Sequence, residues 1–396
     1  MKNLQQFSQP NFMFIKTKWV FAIVFSITTV MIGCKKDVMP PGSDETLTQE
    51  TRTASSKSKA PDIVVHAGGS IQVAVDAANP GDITQIEPGT YHEAVVVNKA
   101  GIQLIGQTGS ANERVIIENP GDEENGITVR SDGDGFVLKN VIIQNFEENG
   151  VFMIRADNFL LSHVDTKNNG EYGLFPLFCN GGLIEHCSAT GHTDTGLYIG
   201  QSENIILEYN VAFANVNGLE VENCSNVTVS KNQSYDNVCG ILVVLLPGLT
   251  IKTSTNILVS NNHVYGNNHI NFAEPGPGGG FESFVPSGSG ILVVGVDNVT
   301  VKDNNISDNN FVGIATVSTL LLGAIAGLPP EAFADIEPNP DGTKIQSNVL
   351  INNGANPPVG IPLPGVDLLW DGSGTNNCWS NNHFSTAYPS GLPVCN

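Results

Sequence analysis

Basic side chains are scarce in this chain. Eighteen Lys and Arg stand against 39 Asp and Glu, a formal net charge of −21. Three of the 18 (Lys2, Lys16 and Lys18) precede Cys34 and no acid does, so from Cys34 onward 15 bases face 39 acids, a net of −24. Such a surface repels nucleic acid and anionic membranes, which sets nucleic-acid binding aside. It also repels polyanionic glycans unless a divalent cation bridges them. Aromatic residues are few, 7 % of the chain. The apolar run near the amino end, "WVFAIVFSITTVMIG", falls short of the ~20 residues that span a bilayer. Cysteine numbers seven, with no C-x-x-C or H-x-x-x-H spacing to mark a metal site.

What is present at the amino end is a processing signal. Lys16 and Lys18 form a positive start, the apolar run follows, and it stops at "MIGC". The box resembles that of a lipoprotein signal peptide, with Cys34 as the acylated residue; an uncleaved anchor helix is the plainer alternative. Residues 1–33 are thus expected to be the signal peptide. Residues 34–60, rich in Ser, Thr, Pro and charge without apolar periodicity, are expected to be a flexible tether. The implied location is outside the cytoplasm, lipid-anchored to a bacterial membrane, with the outer membrane preferred and the facing side open. In an oxidising compartment disulfides persist, and Cys378 with Cys395 in the loop-like tail is the expected pair.

Glycine sets a repeat. "GITVR" at Gly126, "GVFMIR" at Gly150, "GLFPLF" at Gly173, "GLYIGQ" at Gly196, "GLEVEN" at Gly218 and "GILVVL" at Gly240 succeed one another at spacings of 24, 23, 23, 22 and 22 residues. "GILVVG" at Gly290 and "GIATVS" at Gly313 continue the series, and a second short strand ("FLLSHV", "NIILEYN", "NVTVSKN") follows each glycine strand. Positions one and three after the glycine are apolar, as in Leu197/Ile199 and Leu219/Val221. Strand alternation sends them inward and position two outward. One such unit cannot bury its apolar side alone, whereas stacked units share a continuous core. A column of Asn140, His163, His186, Asn210, Asn232, Asn262, Asn304 and Asn348 supports a turn at one place in every unit, since Asn tolerates the left-handed backbone and stacked amides bond from rung to rung.

These units resemble the right-handed parallel β-helix of the pectate-lyase-like superfamily. "SIQVAVDAANPGDITQIEPGTYHEAVVVNKAGIQLIGQTG", residues 70–109, is similar to that superfamily's opening segment, in which a short helix caps the core. The resemblance implies an all-β solenoid over 61–385, with a C-terminal tail at 386–396. Insertions interrupt it near 245–255, 271–289 and 317–343, the last including a short apolar helix at "LLLGAIAGL". Long insertions in a regular scaffold are usually functional, and these are expected to wall a groove over the outer face of the glycine strands.

That outer face carries the candidate site. Phe152, Phe175 and Tyr198 occupy position two in successive units, about 4.8 Å apart, and Glu220 follows them. An open row of this kind suits sugar stacking, while an insertion folded over it would make it core. "YGLFPLF", from Tyr172, resembles the Tyr-Gly-x-Asp-Pro-His segment of alginate C5-epimerases, in which Tyr, Asp and His move the proton. Tyr172, Gly173 and Pro176 match; Phe175 replaces the Asp and Leu177 the His. Thr195 stands where the next unit would carry Asp, and Asp194 is one residue earlier. Phe and Leu cannot transfer protons, so the set is incomplete.

The expectation is therefore a polysaccharide-binding or polysaccharide-processing protein without a recognisable catalytic set. Phe152, Phe175, Tyr198, Glu220 and Arg155 are the ligand-binding residues. The alternative is a polysaccharide lyase or uronate epimerase with a non-standard site, using Tyr172, Asp194, His192 and His269. A surface scaffold or adhesion protein is a third class. No cofactor is implied outright. Ca2+ is the ion a uronate substrate would bring, with Glu220 and Glu222 near Asp194 as its holders, and solvated acids are the plainer account of them. The column Tyr172, Thr195, Asn217, Cys239 and His269 offers mixed ligands for a transition metal but lacks close spacing. The chain is expected to be a monomer.

Overall fold

Twenty-three-residue units stack as predicted. The computed structural model describes residues 60–273 and 280–396, of which Pro61–Asn396 forms one compact unit. The expected signal peptide, Cys34 and all but the last residue of the tether lie outside the described residues. Among those described, no helix is long and apolar enough to cross a membrane.

All strand pairings in the coil are parallel, and each strand pairs with its equivalent one turn later. The glycine strands build one sheet of 11, including Asn149–Ile154, Tyr172–Leu177, Thr195–Gly200, Asn217–Glu222, Cys239–Val244 and Ser289–Val294. Its register sets Phe152, Phe175, Tyr198, Glu220, Leu242 and Leu292 in one outward file. The remaining two strands of each turn close the coil. The two-residue strand Ala387–Tyr388 pairs with Val366–Trp370, so this sheet runs slightly past residue 385. The described residues are all-β except for short helices.

The inward files are closed to water. Val151, Leu174, Leu197, Leu219, Ile241 and Ile291 are wholly buried, as are Val129, Met153, Ile199, Val221 and Val243 one position pair later. Each large apolar side chain so buried contributes about 1.5–3 kcal/mol. The recurring glycine has a steric cause. A Cβ at Gly173 would come within 2.4 Å of the Gly196 carbonyl oxygen and 2.9 Å of His192 Nε2, and Gly218 and Gly240 meet the next turn in the same way.

The open end of the core is capped by α1, Ile71–Ala77. Ser70 accepts from Val73 N–H, and Glu93 accepts from Ile71 and Gln72 N–H and from the Ser70 hydroxyl. Lys99 donates to the Val75, Asp76 and Ala78 carbonyls at the other end. An acid at a helix start and a base at its end both suit the helix dipole.

The asparagine file is displaced by one residue from the sequence expectation. Asn140, His163 and His186 do adopt the left-handed turn, but their equivalents are Tyr209, Lys231, Asn261 and Asp303. The buried ladder lies one residue further on, running Asn210, Asn232, Asn262, Asn304, Asn348 and Asn382. A second ladder links Asn215, Asn237, Asn267, Asn309, Asn353 and Asp367. Asp367 ends it by accepting from Ser385 and Thr386 N–H. Within the ladder each interior amide donates both to a carbonyl of the preceding turn and to the next amide's oxygen, and its own oxygen accepts from the preceding turn, so none is left unpaired at a cost of ~1–3 kcal/mol.

The insertions fold onto the glycine-strand sheet. The loop after Leu245 is pinned by Asn223, which donates to the Leu246 and Ile251 carbonyls, and by Gln201, which accepts from Thr250 and Ile251 N–H. Residues Phe281–Phe284 form one 3-10 turn, and Thr319–Ile325 is α2. A fourth excursion, 352–365, was not expected; its Ile361 and Leu363 pack with Leu242, Leu292, Ala315 and Leu322 in an apolar cluster separate from the core. Cys378 and Cys395 form a disulfide. Cys179, Cys187, Cys224 and Cys239 are free and buried.

Candidate active site on the glycine-strand face

Three adjacent strands, Tyr172–Leu177, Thr195–Gly200 and Asn217–Glu222, place a group of acids and aromatics on their outer side. The residue before each glycine also faces out, so Tyr172, Thr195 and Asn217 join the file of Phe175, Tyr198 and Glu220. Thr195 Oγ1 lies 2.9 Å from Asp194 Oδ1 and 2.5 Å from Glu220 Oε2. Asn217 Nδ2 donates to the same Glu220 oxygen at 3.0 Å. The Tyr198 hydroxyl donates to Glu222 Oε1 at 2.8 Å, and Tyr172 stands beside Asp194, whose charge helps raise its pKa. A fourth acid, Glu282, reaches the group from the 3-10 turn above.

Four carboxyl groups in so little space cannot all ionise cheaply. Burial, then Glu282 and Glu220, pushes Asp194 well above the ordinary carboxylate range. Burial and Glu222 hold Glu220 up to about 8. Burial raises Glu222 to about 7, against the lowering effect of the Tyr198 hydrogen bond, and burial also raises Glu282. Tyr172 is pushed up by burial and by Asp194. Of the four, Glu220 and Glu222 are thereby brought to where a carboxyl exchanges protons near neutral pH, the condition for general acid and base work.

The aromatic row is narrower than expected. Tyr198 is only 5 % exposed and Glu220 likewise, so neither is an open stacking residue. Tyr198 lies along its own strand over Gly200, where a Cβ would come within 2.4 Å of the ring. Phe175 meets it edge-on at 4.7 Å, and Tyr172 packs 4.4 Å from Phe175. Phe152, 5.3 Å from Phe175, Phe175 and Tyr172 remain half-buried and form the accessible platform. Downstream, Leu242 and Leu292 are covered, as expected for residues beside the insertions.

The other candidates go elsewhere. His192 is wholly buried and interrupts the second ladder between Asn169 and Asn215. Its N–H donates to Asn215 Oδ1, its Nδ1 lies 3.2 Å from the Asn169 carbonyl and its Nε2 3.2 Å from Thr166 Oγ1. Burial lowers its pKa to about 4. It is an inward structural residue and not part of the outer face. His269 is exposed at the root of the 271–289 insertion, its ring against Phe272, without a contact to Tyr172 or Asp194 among the described residues. Arg155 occupies the corner after its strand with φ 52° and lies over the Phe178 ring at 4.7 Å. Cys239 is buried beside Glu220 with its thiol pushed up by burial, which does not suit a metal-binding thiolate. A separate trio, Asp297, Glu337 and Asp341, brings carboxylate oxygens within 4.8 Å of one another, and a cavity of about 530 Å³ lies by Trp370 and the disulfide. Neither includes Tyr172, Asp194, Glu220, Glu222 or Glu282.

Glu282 was the site residue that the sequence reading missed. It comes from an irregular insertion, and only the acid in "GGGFESF" marked it.

The sequence model described as "Right handed beta helix region" matches residues 100–245. The described residues from Pro61 onward have the fold of a right-handed parallel β-helix. No curated protein matches it. Among solved structures, the A-module of the Azotobacter vinelandii mannuronan C-5 epimerase AlgE4 is 17 % identical with a TM-score of 0.57, covering 82 % of this chain and 92 % of that one. The AlgE6 A-module of the same organism is also 17 % identical, with a TM-score of 0.51 over 82 % and 94 %. DFA-IIIase of Arthrobacter chlorophenolicus A6 in complex with GF2 is 13 % identical with a TM-score of 0.53 over 80 % and 76 %. At these identities the likeness is one of fold, and chemistry has to be argued from the site.

Proposed function

We propose that this β-helix is a polysaccharide-processing protein, held by a lipid on Cys34, whose working surface is the outer face around Tyr172, Asp194, Glu220 and Glu222. The observation that carries this reading is the carboxyl group cluster. Acids crowded on two adjacent strands, joined by Glu282 from the insertion above, make a poor solvated surface and a good acid–base centre. Glu220, held up to about 8, is the natural proton donor. Glu222, steadied by Tyr198, is the group that ionises first. Phe152 and Phe175 supply the flat apolar surface on which a pyranose ring packs, and the covered Leu242 and Leu292 close the groove on one side.

The kinship of fold with mannuronan epimerase modules supports a carbohydrate partner. A second reading, uronate elimination or epimerisation, is favoured by one observation: Tyr172, which matches the tyrosine of the epimerase segment, stands beside Asp194, whose charge helps raise its pKa. A protein that only holds glycan is the third. Glu220→Gln keeps the shape of the side chain and removes its proton. Turnover of a responsive polysaccharide, followed by chain length, is expected to fall ~10²–10⁴-fold with little loss of binding. Unchanged turnover in that variant would remove the acid–base site, and binding without turnover in the wild type would leave a capture protein.

A further inference from the structure

Independently of the acid–base centre, we infer that the cavity at the carboxyl-terminal end of the coil binds one anionic sugar residue, with Trp370 as its stacking surface and Lys344 as its charge partner. The cavity encloses about 530 Å³, within the ~300–1,000 Å³ of small-molecule sites. Trp370 ends the strand Val366–Trp370, four strands beyond Asn217–Glu222 in the same sheet. At ~4.8 Å per turn it stands roughly 19 Å along the coil from Glu220, so the two regions are separate sites.

The walls of this cavity are held in place before any ligand arrives. Trp370 is half-buried; its Nε1 donates to the Ser373 carbonyl at 2.8 Å, and its ring packs 5.5 Å from that of Trp379, a core residue. An indole fixed in this way gives up little freedom when a sugar ring packs on it. The loop 371–377 is pinned by Asp371, which accepts from Ser318 and Ser373 N–H, and by Asp341, which accepts from Thr375 N–H. The tail lies alongside Trp379, whose N–H donates to the Pro393 carbonyl and whose carbonyl accepts from Cys395 N–H. The disulfide between Cys378 and Cys395 ties the tail there, and both half-cystines line the cavity.

The lining residues set the charge of the ligand. Lys344 is among them, and no Asp or Glu side chain is. Asp341 and Asp371 lie close in sequence but are turned onto the backbone donors just named. The lysine ion pairs among the described residues are Lys231 with Glu208 and Lys252 with Asp335. Lys344 is exposed and has none, with Asn396, the last residue and also in the lining, included. In a chain of net charge −21, an unpaired ammonium in a cavity free of carboxylate side chains is a place that draws an anion. Gln346 and Asn376 bring two side-chain amides whose only contacts are long, 3.6 Å to the Cys395 sulfur and 3.5 Å to Thr375 Oγ1. Indole, amides and ammonium match the apolar face of a pyranose, its hydroxyls and an acidic substituent. A carboxylate without a ring would meet Lys344 alone, and a neutral sugar would leave it unused.

The test titrates the full-length chain with trisaccharides of galacturonate and of mannuronate, a sulfated trisaccharide of galactose, uncharged trisaccharides of glucose and mannose, and acetate. Calorimetry reads affinity, and tryptophan fluorescence reads whether the indole is engaged. An anionic trisaccharide is expected to bind at least ~10-fold tighter than the neutral ones or acetate, with a change in fluorescence. Comparing the uronates with the sulfated sugar identifies the acidic group. K344Q alters an exposed side chain and should lower that affinity about tenfold, to the level of the neutral sugars. Reducing the disulfide frees one wall and should lower it at least as far. F175A changes the other aromatic surface and should leave it unaltered. Equal affinity for neutral sugars or for acetate would overturn the ligand class. No binding of any probe at millimolar concentration, anionic binding unchanged in K344Q, or binding lost in F175A would overturn the site, and none of these results touches the acid–base centre.

Discussion

The outer face of one sheet is finished in two ways. Over Thr195–Gly200 and Asn217–Glu222 it presents Asp194, Tyr198, Glu220 and Glu222, while over Cys239–Val244 and Ser289–Val294 the same files hold Leu242, Val244, Leu292 and Val294. Insertions cover both halves. On the apolar half the cover completes a second small core with α2 and the 352–365 excursion. On the acidic half it adds a further carboxyl, Glu282. A β-helix gives every rung the same backbone, so the contrast lies wholly in outward side chains and in what folds over them. The apolar half is stabilised by burial; the acidic half is destabilised by it, and that cost points to function.

Substitutions one strand apart should therefore move stability in opposite directions. Leu242→Ala is expected to cost ~2–4 kcal/mol by loss of burial and the cavity left behind, read as a lower midpoint in denaturant. Glu220→Gln should gain on the order of 2 kcal/mol at pH 8. The sign follows from proton binding. With Glu220 raised to about 8 and Glu222 to about 7, the folded protein keeps protons that the unfolded chain releases above about pH 4.5. Stability is full below that pH and falls as pH rises through 7 to 8. Thermal melts across this window should show the decline in the wild type, a shallower one in E220Q, and no advantage for the variant at pH 4. An equal pH profile in the two would break the comparison.

Smaller effects sharpen it. Phe175→Ala should weaken glycan binding about tenfold with a modest change in stability, since it removes one ring of the half-buried platform; titration with the responsive polysaccharide measures this. His192→Asn should leave turnover unchanged and alter stability by less than about 1 kcal/mol, because an asparagine there continues the ladder from Asn215 to Asn169. A large loss of turnover in that variant would return His192 to the chemistry.

Much of this was legible in the sequence, because a coil repeats its constraints. Glycine at 22–24-residue spacing, alternation after it and the capping helix needed no long-range information. The ladders were harder. Paired asparagines such as Asn261 and Asn262 satisfy both the turn and the buried amide position, and sequence alone does not say which does which. Asn215, Asn237 and Asn309, three or four residues ahead of their glycines, carried the signal that would have placed His192 in a ladder. Whether Tyr198 is open or covered is not legible, because nothing in its file reveals that Gly200 lets the ring lie down. Glu282 was illegible for another reason: an insertion without periodicity has no register from which to place its side chains. The transferable lesson is that rung position fixes direction, while exposure is decided by the irregular segments.

The most direct measurement is site-resolved titration of the Glu220 and Glu222 carboxyls by ¹³C NMR, with E220Q and E222Q to assign the signals. Midpoints near 8 and 7, against about 4.5 for exposed glutamates, are what crowding on this face predicts. Midpoints of both near 4.5 would mean that these acids are ordinary solvated carboxylates, and the acid–base centre would have no physical basis.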